Sequence, residues 1–397
     1  MATIAPFNGI HYDSTRSLSE LLAPPYDIID EAEHRELARK HPHNVIHLTL
    51  GAPGRKRDYK QIGKKLRQWI REGVMVRDEE PSFYAYCQEY VFEGHPLKFW
   101  GIVSLLKLEP FGKGRIFPHE AVMPGPVEDR LKIMEATRAN LEPIMTLYRQ
   151  PSDPLSMLFE SLEAFPPSMA ASLPNKTKHR VWRLSLPRTC VRIQRALKRL
   201  PFFVADGHHR YHAAWMFHQK HRTLKTARWY MTLVANTEQK GLKIMPINRA
   251  LECSVPLGKD LPVSFSRFGR VELTGHGLGE SLLRPARGTL GFYCRKAGGW
   301  ILHLPPLPAD AKLRDQLDVV RLHEILPQTV KVTDSVFPKD PREAARRAKS
   351  APNQLACFLP PPPSHLVLGI AFGGRILPQK STFFLPKPQS GIILRTL

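Results

Sequence analysis

A strand that turns directly into a helix, between residues 200 and 221, places the tightest restriction on the fold. Residues 202–205 (FFVA) form a short apolar run that is typical of a buried strand. Asp206 and Gly207 supply a turn, and from His208 the apolar residues recur at helical spacing. A helix entered in this way directs its first backbone N–H groups and its positive dipole end at whatever lies in the turn. The segment therefore predicts an anion site, where glycine lets a phosphate approach the backbone closely.

The side chains of this turn favour phosphate chemistry but also have ordinary interpretations. Arg210 offers a planar fork suited to phosphate oxygens, and His208 and His209 can donate hydrogen bonds or move a proton. Asp206 can hold a Mg²⁺ ion carried by the phosphates or act as a base, yet an Asp before a helix is commonest as a cap. His208 and His212 have the spacing of a zinc pair, although no third ligand can be named. Phosphate binding and a simple helix cap both stay open, and any metal stays unknown.

Segments with helical and strand periodicity alternate along the chain to about residue 250. Asp30 followed by Glu33 predicts a capping box that opens a helix. Further on, the pattern predicts a strand over 44–50, a long β-hairpin over 82–109 and a helix over 126–142. Alternation combined with hairpins favours an α+β, mixed α/β fold.

Composition changes near residue 250 and suggests two parts. A length of 397 residues corresponds to about two domains. Residues 251–397 are richer in Gly and Pro, and their strand signals are short. We therefore expect a core over 1–250 that carries the phosphate turn, and a C-terminal mixed α/β region over 251–397 that packs on it.

The charge favours anionic partners without saying which. The chain carries 58 basic and 36 acidic residues, and the basic ones are concentrated in residues 55–71 and 176–199. In both stretches apolar positions recur at regular spacing, so the basic residues are expected to form the solvated faces of separate elements. Nucleic-acid binding is left open but not favoured, because there is no helix-turn-helix pattern or basic tail. No apolar run is long enough to span a membrane, and the N-terminus has no signal-peptide pattern, which predicts a cytoplasmic protein.

Three other clusters combine acids, bases and hydroxyl groups: His119 with Glu120, Asp129 with Arg130, and Lys380 with Ser381 and Thr382. A histidine beside a glutamate can transfer a proton to or from a substrate hydroxyl. Acids in a first helical turn can simply complement the helix dipole. A lysine beside two hydroxyls can bind phosphate, but it is equally ordinary in a surface turn.

Several short motifs occur together in an order that resembles one known family. They are PPYD at 24–27, PHE at 118–120, EDRL at 128–131, ADGHHRY at 205–211, and PQKSTFF and PKPQSG between 378 and 391. The resemblance is to the bacterial and archaeal domain-of-unknown-function family 1015, whose members are often labelled ParB-like or Spo0J-like, and it spans nearly the whole chain. The DGHHR stretch is in addition similar to the phosphate-binding loop of the ParB/sulfiredoxin superfamily, and above all to that of its free serine kinases.

This resemblance implies a ParB/sulfiredoxin-like nucleotide-binding core that uses a nucleoside tri- or diphosphate with Mg²⁺ and a small hydroxyl substrate. By resemblance, the phosphates would be held by Gly207, His208, His209 and Arg210, with Asp206 assisting the metal or the acceptor hydroxyl. If the remaining motifs serve the same site, we expect Asp206, His208, His119 and Glu120 to be catalytic. We also expect nucleotide contacts from Asp129, Arg130, Lys380, Ser381 and Thr382, and substrate contacts from Tyr26 and Asp27. The alternative is a nucleotide-responsive, DNA-binding or regulatory ParB-like protein.

The sequence departs from the family pattern at two places. Asn248 stands where the pattern has the histidine of Pro-Thr-His-Arg, and Val122 stands where it has the threonine of His-Glu-x-Thr. These departures remove a proton-transfer group and a hydroxyl. We therefore expect either an altered substrate or weaker catalysis in this chain.

Overall fold

The computed structural model describes residues 3–378 and 380–397 and separates into two compact units. The first unit comprises Met1–Pro118, Val122–Leu242 and Pro386–Leu397, and the second comprises His119–Ala121 and Lys243–Leu385. The last twelve residues thus belong to the first unit. The domain boundary expected near residue 250 stays a prediction.

The helices and strands alternate as expected for a mixed fold. The α-helices are α1 (Glu31–Lys40), α2 (Ile46–Thr49), α3 (Tyr59–Arg71), α4 (Pro124–Thr137), α5 (Ser156–Leu162), α6 (Pro187–Leu197), α7 (His208–Lys220), α8 (Leu261–Phe265), α9 (Glu280–Leu283), α10 (Asp318–Thr329), α11 (Pro341–Ser350) and α12 (Ser364–Phe372). The strands are β1 (Ile4–Ala5), β2 (Ile10–Tyr12), β3 (Met75–Arg77), β4 (Phe83–Phe92), β5 (His95–Lys107), β6 (Ile116–Phe117), β7 (Ala139–Asn140), β8 (Ile144–Tyr148), β9 (Met169–Ser172), β10 (Lys178–Leu184), β11 (Phe202–Asp206), β12 (Trp229–Asn236), β13 (Lys243–Met245), β14 (Arg249–Cys253), β15 (Arg270–Gly275), β16 (Thr289–Cys294), β17 (Gly298–His303), β18 (Val332–Val336), β19 (Gln354–Phe358), β20 (Phe383–Leu385) and β21 (Arg395–Thr396).

A nine-stranded mixed sheet forms the centre of the first unit. Its order is β6-β11-β8-β12-β5-β4-β10-β9, and β1 pairs with β5. The β11–β6 and β12–β8 pairs are parallel, and the other pairs are antiparallel. The hydrophobic core contains residues from these strands and from α4, α6 and α7. The mixed α/β class is therefore confirmed.

Local sequence signals predict several elements correctly. The Asp30 carboxylate accepts a hydrogen bond from Glu33 N–H at 2.8 Å and caps α1. The long hairpin is β4–β5, and Gly94 lies in its turn with a φ of 82°. The helix over 126–142 is present as α4, but it ends earlier, because Arg138 adopts a left-handed conformation and strand β7 follows.

The strand predicted over residues 44–50 is wrong, since this segment contains the short helix α2. The Asn44 side-chain oxygen accepts a hydrogen bond from Ile46 N–H at 2.9 Å, and its amide group donates to the carbonyls of Glu20 and Leu22. These bonds hold the backbone in a turn that continues as a helix. A buried helical turn and a buried strand have the same short apolar pattern, so periodicity does not separate them.

Helices α3, α4 and α7 pack in sequence beside the sheet. The basic stretch over 55–71 is largely α3, which buries Ile62, Leu66 and Trp69 and leaves most of its lysines and arginines exposed. Helix α3 approaches α4 closely, since a β-carbon built on Gly63 would lie 2.2 Å from the carbonyl oxygen of Ala136. This packing holds α3 against the end of α4.

The second unit has its own antiparallel sheet, with the order β15-β17-β16-β19-β14-β18, and a separate β13–β20 pair. Helix α11 covers this sheet with three buried alanines, Ala344, Ala345 and Ala348, which pack in one core cluster with Ala356 and Phe358. Among the described residues of the whole chain, no helix is both long enough and apolar enough to cross a membrane.

Candidate functional site

The predicted strand–turn–helix is present as β11, Gly207 and α7. All of β11 is buried, and Gly207 adopts a left-handed conformation with φ 89° and ψ 32°. A β-carbon at Gly207 would also lie 2.7 Å from the side chain of Ile144. Backbone conformation and space therefore both require glycine here. The chain enters α7 abruptly, so the first turn of this helix faces the end of β11.

Asp206, the last residue of β11, is held by two cationic side chains. Its carboxylate accepts hydrogen bonds from the Arg210 guanidinium through one oxygen and from the Lys387 ammonium through the other. Asp206 and Arg210 are 5% and 3% exposed, and the Lys387 side chain is 8% exposed. Charge-assisted hydrogen bonds on both oxygens fix this carboxylate and favour its ionised form.

Arg210 points back into the protein. Besides Asp206, its guanidinium donates to the carbonyl oxygen of Pro143 at 2.6 Å. Burial lowers the pKa of Arg210, but the negative charge of Glu142 and the groups near it outweigh this effect and leave the pKa above its usual value. A cavity of about 20 Å³, close to the volume of one water, lies among Arg210, Arg130, Glu142 and Tyr230.

A second set of ion pairs begins at the start of α4. Asp129 accepts hydrogen bonds from Arg130, from Arg57 and from the Tyr59 hydroxyl, the last at 2.9 Å. Burial raises the pKa of Asp129, but the charges and hydrogen bonds of Arg130 and its other partners outweigh it and hold the pKa below its usual value of 3.8. The Arg130 guanidinium in turn lies 3.7 Å from the centre of the Tyr26 ring. Burial raises the pKa of Tyr26 to about 12.

Glu142 joins the two sets. Its carboxylate lies 3.8 Å from Arg130 and accepts hydrogen bonds from Tyr26 N–H at 3.2 Å and from the Ser390 hydroxyl at 2.6 Å. We call these connected groups the Asp206 network. Its four cations and four carboxylates are Arg57, Arg130, Arg210 and Lys387, and Asp27, Asp129, Glu142 and Asp206.

The two histidines of the turn have different environments. His208 is 5% exposed, whereas His209 is half-buried. The His209 Nε2 atom accepts a hydrogen bond at 3.0 Å from the backbone N–H of Met123, the residue before α4. In this geometry His209 is a neutral imidazole with its proton on Nδ1. The side chain therefore joins the beginnings of α7 and α4.

The second unit brings together its own predicted residues, which we call the His119 cluster: His119, Glu120, Lys380, Ser381 and Thr382. His119 is 3% exposed, and its Nε2 atom lies 2.8 Å from the Thr382 hydroxyl. Glu120 accepts a hydrogen bond from Lys380 N–H at 3.1 Å, and Lys380 has a left-handed φ of 57°. The Ser381 hydroxyl donates to the carbonyl of Pro378 at 2.5 Å. Leu377, Lys380 and Thr382 are thus tied to the PHE motif.

The structure therefore divides the sequence-predicted residues between two groups. Tyr26, Asp27, Asp129, Arg130 and the 206–210 turn belong to the first unit, whereas the residues of the His119 cluster belong to the second. Their assignment to catalysis or binding stays a prediction. Sequence reasoning missed Glu142 and Lys387, which bond to residues far away in the chain. The signal for Lys387 was present, since it lies in the PKPQSG motif.

The two departures from the family pattern occupy different environments. Asn248 is 1% exposed, its N–H donates to Pro338 O at 3.1 Å, and its side-chain amide donates to Lys339 O at 3.2 Å. Val122 is half-buried. Asn248 is accordingly part of the packed interior of the second unit. Whether these substitutions alter activity stays a prediction.

The Asp206 network does not fit a resident Mg²⁺ ion. Such an ion needs near-octahedral oxygen ligands at about 2.0–2.1 Å. Both oxygens of Asp206 instead accept hydrogen bonds from cations, and the Asp27 carboxylate lies 3.8 Å from the same Lys387 ammonium. Within residues 3–378 and 380–397, no group of three His, Cys, Asp or Glu side chains is arranged to hold a metal. A Mg²⁺ ion brought by a nucleotide stays a prediction.

These features describe a mixed α/β protein with a glycine turn and a buried charge network at the end of a central strand. The chain belongs to the family described as "Protein of unknown function (DUF1015)", whose family model matches residues 4–320. No curated protein matches the sequence. Nothing in the comparisons bears on the ParB-like label.

Solved structures that are similar to this chain share little sequence with it. One is a free serine kinase mutant in complex with AMP, with a TM-score of 0.36 and 11% identity, over 68% of this chain and 84% of that one. Another is SbnI from Staphylococcus aureus with a C-terminal truncation, with a TM-score of 0.35 and 11% identity, over 70% and 82%. A third is a conserved hypothetical protein from Pyrococcus furiosus, with a TM-score of 0.33 and 12% identity, over 68% and 87%.

Proposed function

We propose that the protein is a nucleotide-dependent phosphotransferase, or a nucleotide hydrolase, that acts on a small hydroxyl-bearing metabolite. The observation that carries the proposal is the left-handed Gly207 between the buried strand β11 and α7. A helix N-terminus reached through glycine is a general solution for phosphate binding. The likeness of the DGHHR motif to the phosphate loop of free serine kinases supports the same chemistry.

In this proposal the backbone at Gly207, His208 and His209 receives the nucleotide phosphates. Arg210 keeps Asp206 ionised and oriented, since its guanidinium bonds to that carboxylate and to Pro143 O. Phosphoryl transfer depends mainly on positioning and on neutralising charge, which a fixed network can supply. The arrangement requires no covalent intermediate on the protein.

The transfer itself needs one proton acceptor. The bond between the terminal phosphorus and its bridging oxygen breaks, a bond from the acceptor oxygen to phosphorus forms, and the acceptor hydroxyl loses its proton. Two cations hold Asp206 and make it a weak base. We therefore propose that Asp206 orients the acceptor hydroxyl and does not take its proton. Within the first unit, Tyr26 and Asp27 are the proposed substrate contacts, and the half-exposed Asp27 carboxylate is the proposed proton acceptor. In hydrolysis, water takes the place of the acceptor.

The test is direct observation of phosphate transfer. The purified protein is incubated with ATP or ADP and a pool of small hydroxyl compounds that includes serine, and ³¹P NMR follows the phosphorus species. We expect a new phosphate ester or released phosphate. Absence of turnover and of calorimetric binding for both nucleotides would contradict the proposal.

A pair of histidine variants on one helix provides the matched control. His209→Ala removes a side chain at the start of α7, and His218→Ala removes one at its end. We expect His209→Ala to weaken nucleotide binding by about tenfold, because it removes the hydrogen bond that joins the beginnings of α7 and α4 beside the phosphate turn. His218→Ala should bind as the wild type does. Equal binding by both variants would show that the His209 side chain takes no part in nucleotide binding.

Nucleic-acid binding is a second candidate, favoured by one surface. Helix α6 exposes Arg188, Arg192 and Arg195 beside the exposed side chain of Val191. Titration of duplex DNA at two salt concentrations tests it, because backbone binding has a steep salt dependence. We expect binding to vanish near 0.15 M salt. Tight, sequence-selective binding at that salt would favour the regulatory alternative.

A further inference from the structure

Lys387 reaches the end of β11 from a segment that is distant in sequence. It belongs to Pro386–Leu397, the C-terminal segment of the first unit. Two backbone hydrogen bonds hold this segment, because Ser390 N–H donates to Ala23 O at 2.8 Å and Ala23 N–H donates back at 3.3 Å. The Ser390 hydroxyl also donates to Glu142 at 2.6 Å. These bonds fix the backbone three residues beyond Lys387.

The Lys387 ammonium lies between two carboxylates. It donates a hydrogen bond to Asp206 and lies 3.8 Å from the Oδ2 atom of Asp27. The Lys387 side chain is 8% exposed and that of Asp206 is 5% exposed, whereas the Asp27 side chain is 35% exposed. The ammonium is thus shielded on the Asp206 side and closer to solvent on the Asp27 side.

Two carboxylates converging on one point are also the arrangement that binds a divalent ion. Here a compact, strongly hydrated ammonium with three donors occupies the point between them. Arg210 donates to the other oxygen of Asp206, so both oxygens already accept from a cation, and the two positive charges would repel a divalent ion placed there. The donor set therefore suits a built-in organic cation and does not suit a resident metal.

We propose that the Lys387 ammonium is the cation that neutralises phosphate charge at this site, so that the protein binds a nucleoside diphosphate without a divalent ion. The inference rests on the proposed function. The ammonium keeps its bond to Asp206 and exchanges its longer contact with Asp27 for a phosphate oxygen. No proton moves and no bond breaks in this step. Asp27, which is released, faces the substrate hydroxyl.

The experiment measures ADP binding by isothermal titration calorimetry in EDTA and again in excess Mg²⁺. We expect wild-type affinity to change by less than about threefold between the two conditions. Lys387→Met should weaken ADP binding in EDTA by about tenfold or more, the range for a charge-assisted hydrogen bond. Lys387→Arg keeps the charge and should restore most of the loss. Lys98→Met, which removes a lysine from an exposed ion pair of the same unit, is the matched control.

The outcomes separate this inference from the proposed function. Wild-type binding that appears only with Mg²⁺ would leave the proposed function standing and overturn the role of Lys387. Equal affinity of wild type and Lys387→Met in EDTA would overturn it as well. No ADP binding under either condition would overturn the role of Lys387, and the absence of ATP binding as well would overturn the proposed function. Circular dichroism shows whether Lys387→Met folds. If it does not, two other comparisons decide the question: the ADP affinity of the wild type in EDTA against that in Mg²⁺, and the affinity of the wild type against that of Lys387→Arg.

Discussion

The Asp206 network and the His119 cluster are built from similar residue types but are stabilised in different ways. In the first, each carboxylate contacts at least one cation, and Asp206 and Arg210 are almost fully buried. In the second, the contact between His119 and Thr382 is a hydrogen bond, and Glu120 accepts from a backbone N–H. The two groups should therefore differ in how much stability a single substitution removes.

Loss of one member of a buried ion network leaves the opposite charge in a poorly solvated place, whereas loss of one member of a hydrogen-bonded pair leaves at most an unsatisfied dipole. The Asp206 network should therefore respond strongly to single substitutions and to acid. The His119 cluster should respond weakly.

Asp206→Ala should have the largest effect. The substitution leaves the Arg210 guanidinium and the Lys387 ammonium buried without their shared carboxylate, at a cost of about 3–5 kcal/mol in the free energy of unfolding. Denaturant titration followed by tryptophan fluorescence measures it. Glu128→Ala, which removes an exposed ion pair with Lys132, should cost less than about 1 kcal/mol. If the two variants lose similar amounts of unfolding free energy, the Asp206 network contributes no more to stability than an exposed ion pair does.

Local signals in the sequence predict local structure well. Asp30 and Glu33 are three residues apart, and the hairpin β4–β5 is closed by a turn at Gly94, so the residues that determine these elements are neighbours. The turn at Gly207 is of the same kind. Such features depend on backbone conformation and on hydrogen bonds between residues that are close in sequence, and a few adjacent residues determine both.

The partners within the candidate site could not be predicted in the same way. Lys387 and Asp206 are 181 residues apart, and Ser390 and Glu142 are 248 apart. Nothing in the sequence around either residue identifies its partner, since long-range pairing depends on sheet order and on the path of the last segment. The Asp206–Arg210 pair is different, because its spacing of four is visible in the sequence.

Asp129→Asn should have the second largest effect and a characteristic pH dependence. At neutral pH the loss of charged hydrogen bonds to Arg57 and Arg130 should cost about 1.5–3 kcal/mol. The pKa of Asp129 lies below its usual value of 3.8 in the folded protein, so its contribution is full above that pH and is lost as the pH falls through the folded pKa. The stability difference between wild type and variant should therefore shrink below about pH 4. A difference that is constant from pH 7 to pH 2 would contradict the ion-pair interpretation.

Gly207→Ala should destabilise the fold by about 1–3 kcal/mol, since alanine would be strained at a φ of 89° and would contact Ile144. The matched control is Gly125→Ala, because a β-carbon there meets nothing within 4 Å. The control should change stability by no more than about 0.5 kcal/mol. Thermal unfolding of both variants compares them. If the two midpoints agree, the left-handed turn is not required.

Thr382→Val should have the smallest effect, and it tests the other half of the comparison. The substitution keeps the shape of the side chain but removes the hydrogen bond to His119 Nε2, at a cost of about 1 kcal/mol. A double-mutant cycle with His119→Leu isolates this pair, and its coupling energy should also be about 1 kcal/mol. Thr289→Val, at an exposed hydrogen bond of the same unit, is the control and should be nearly neutral. A coupling energy of 3 kcal/mol or more would mean that this pair is coupled as strongly as a buried ion pair and that the two clusters do not differ in kind.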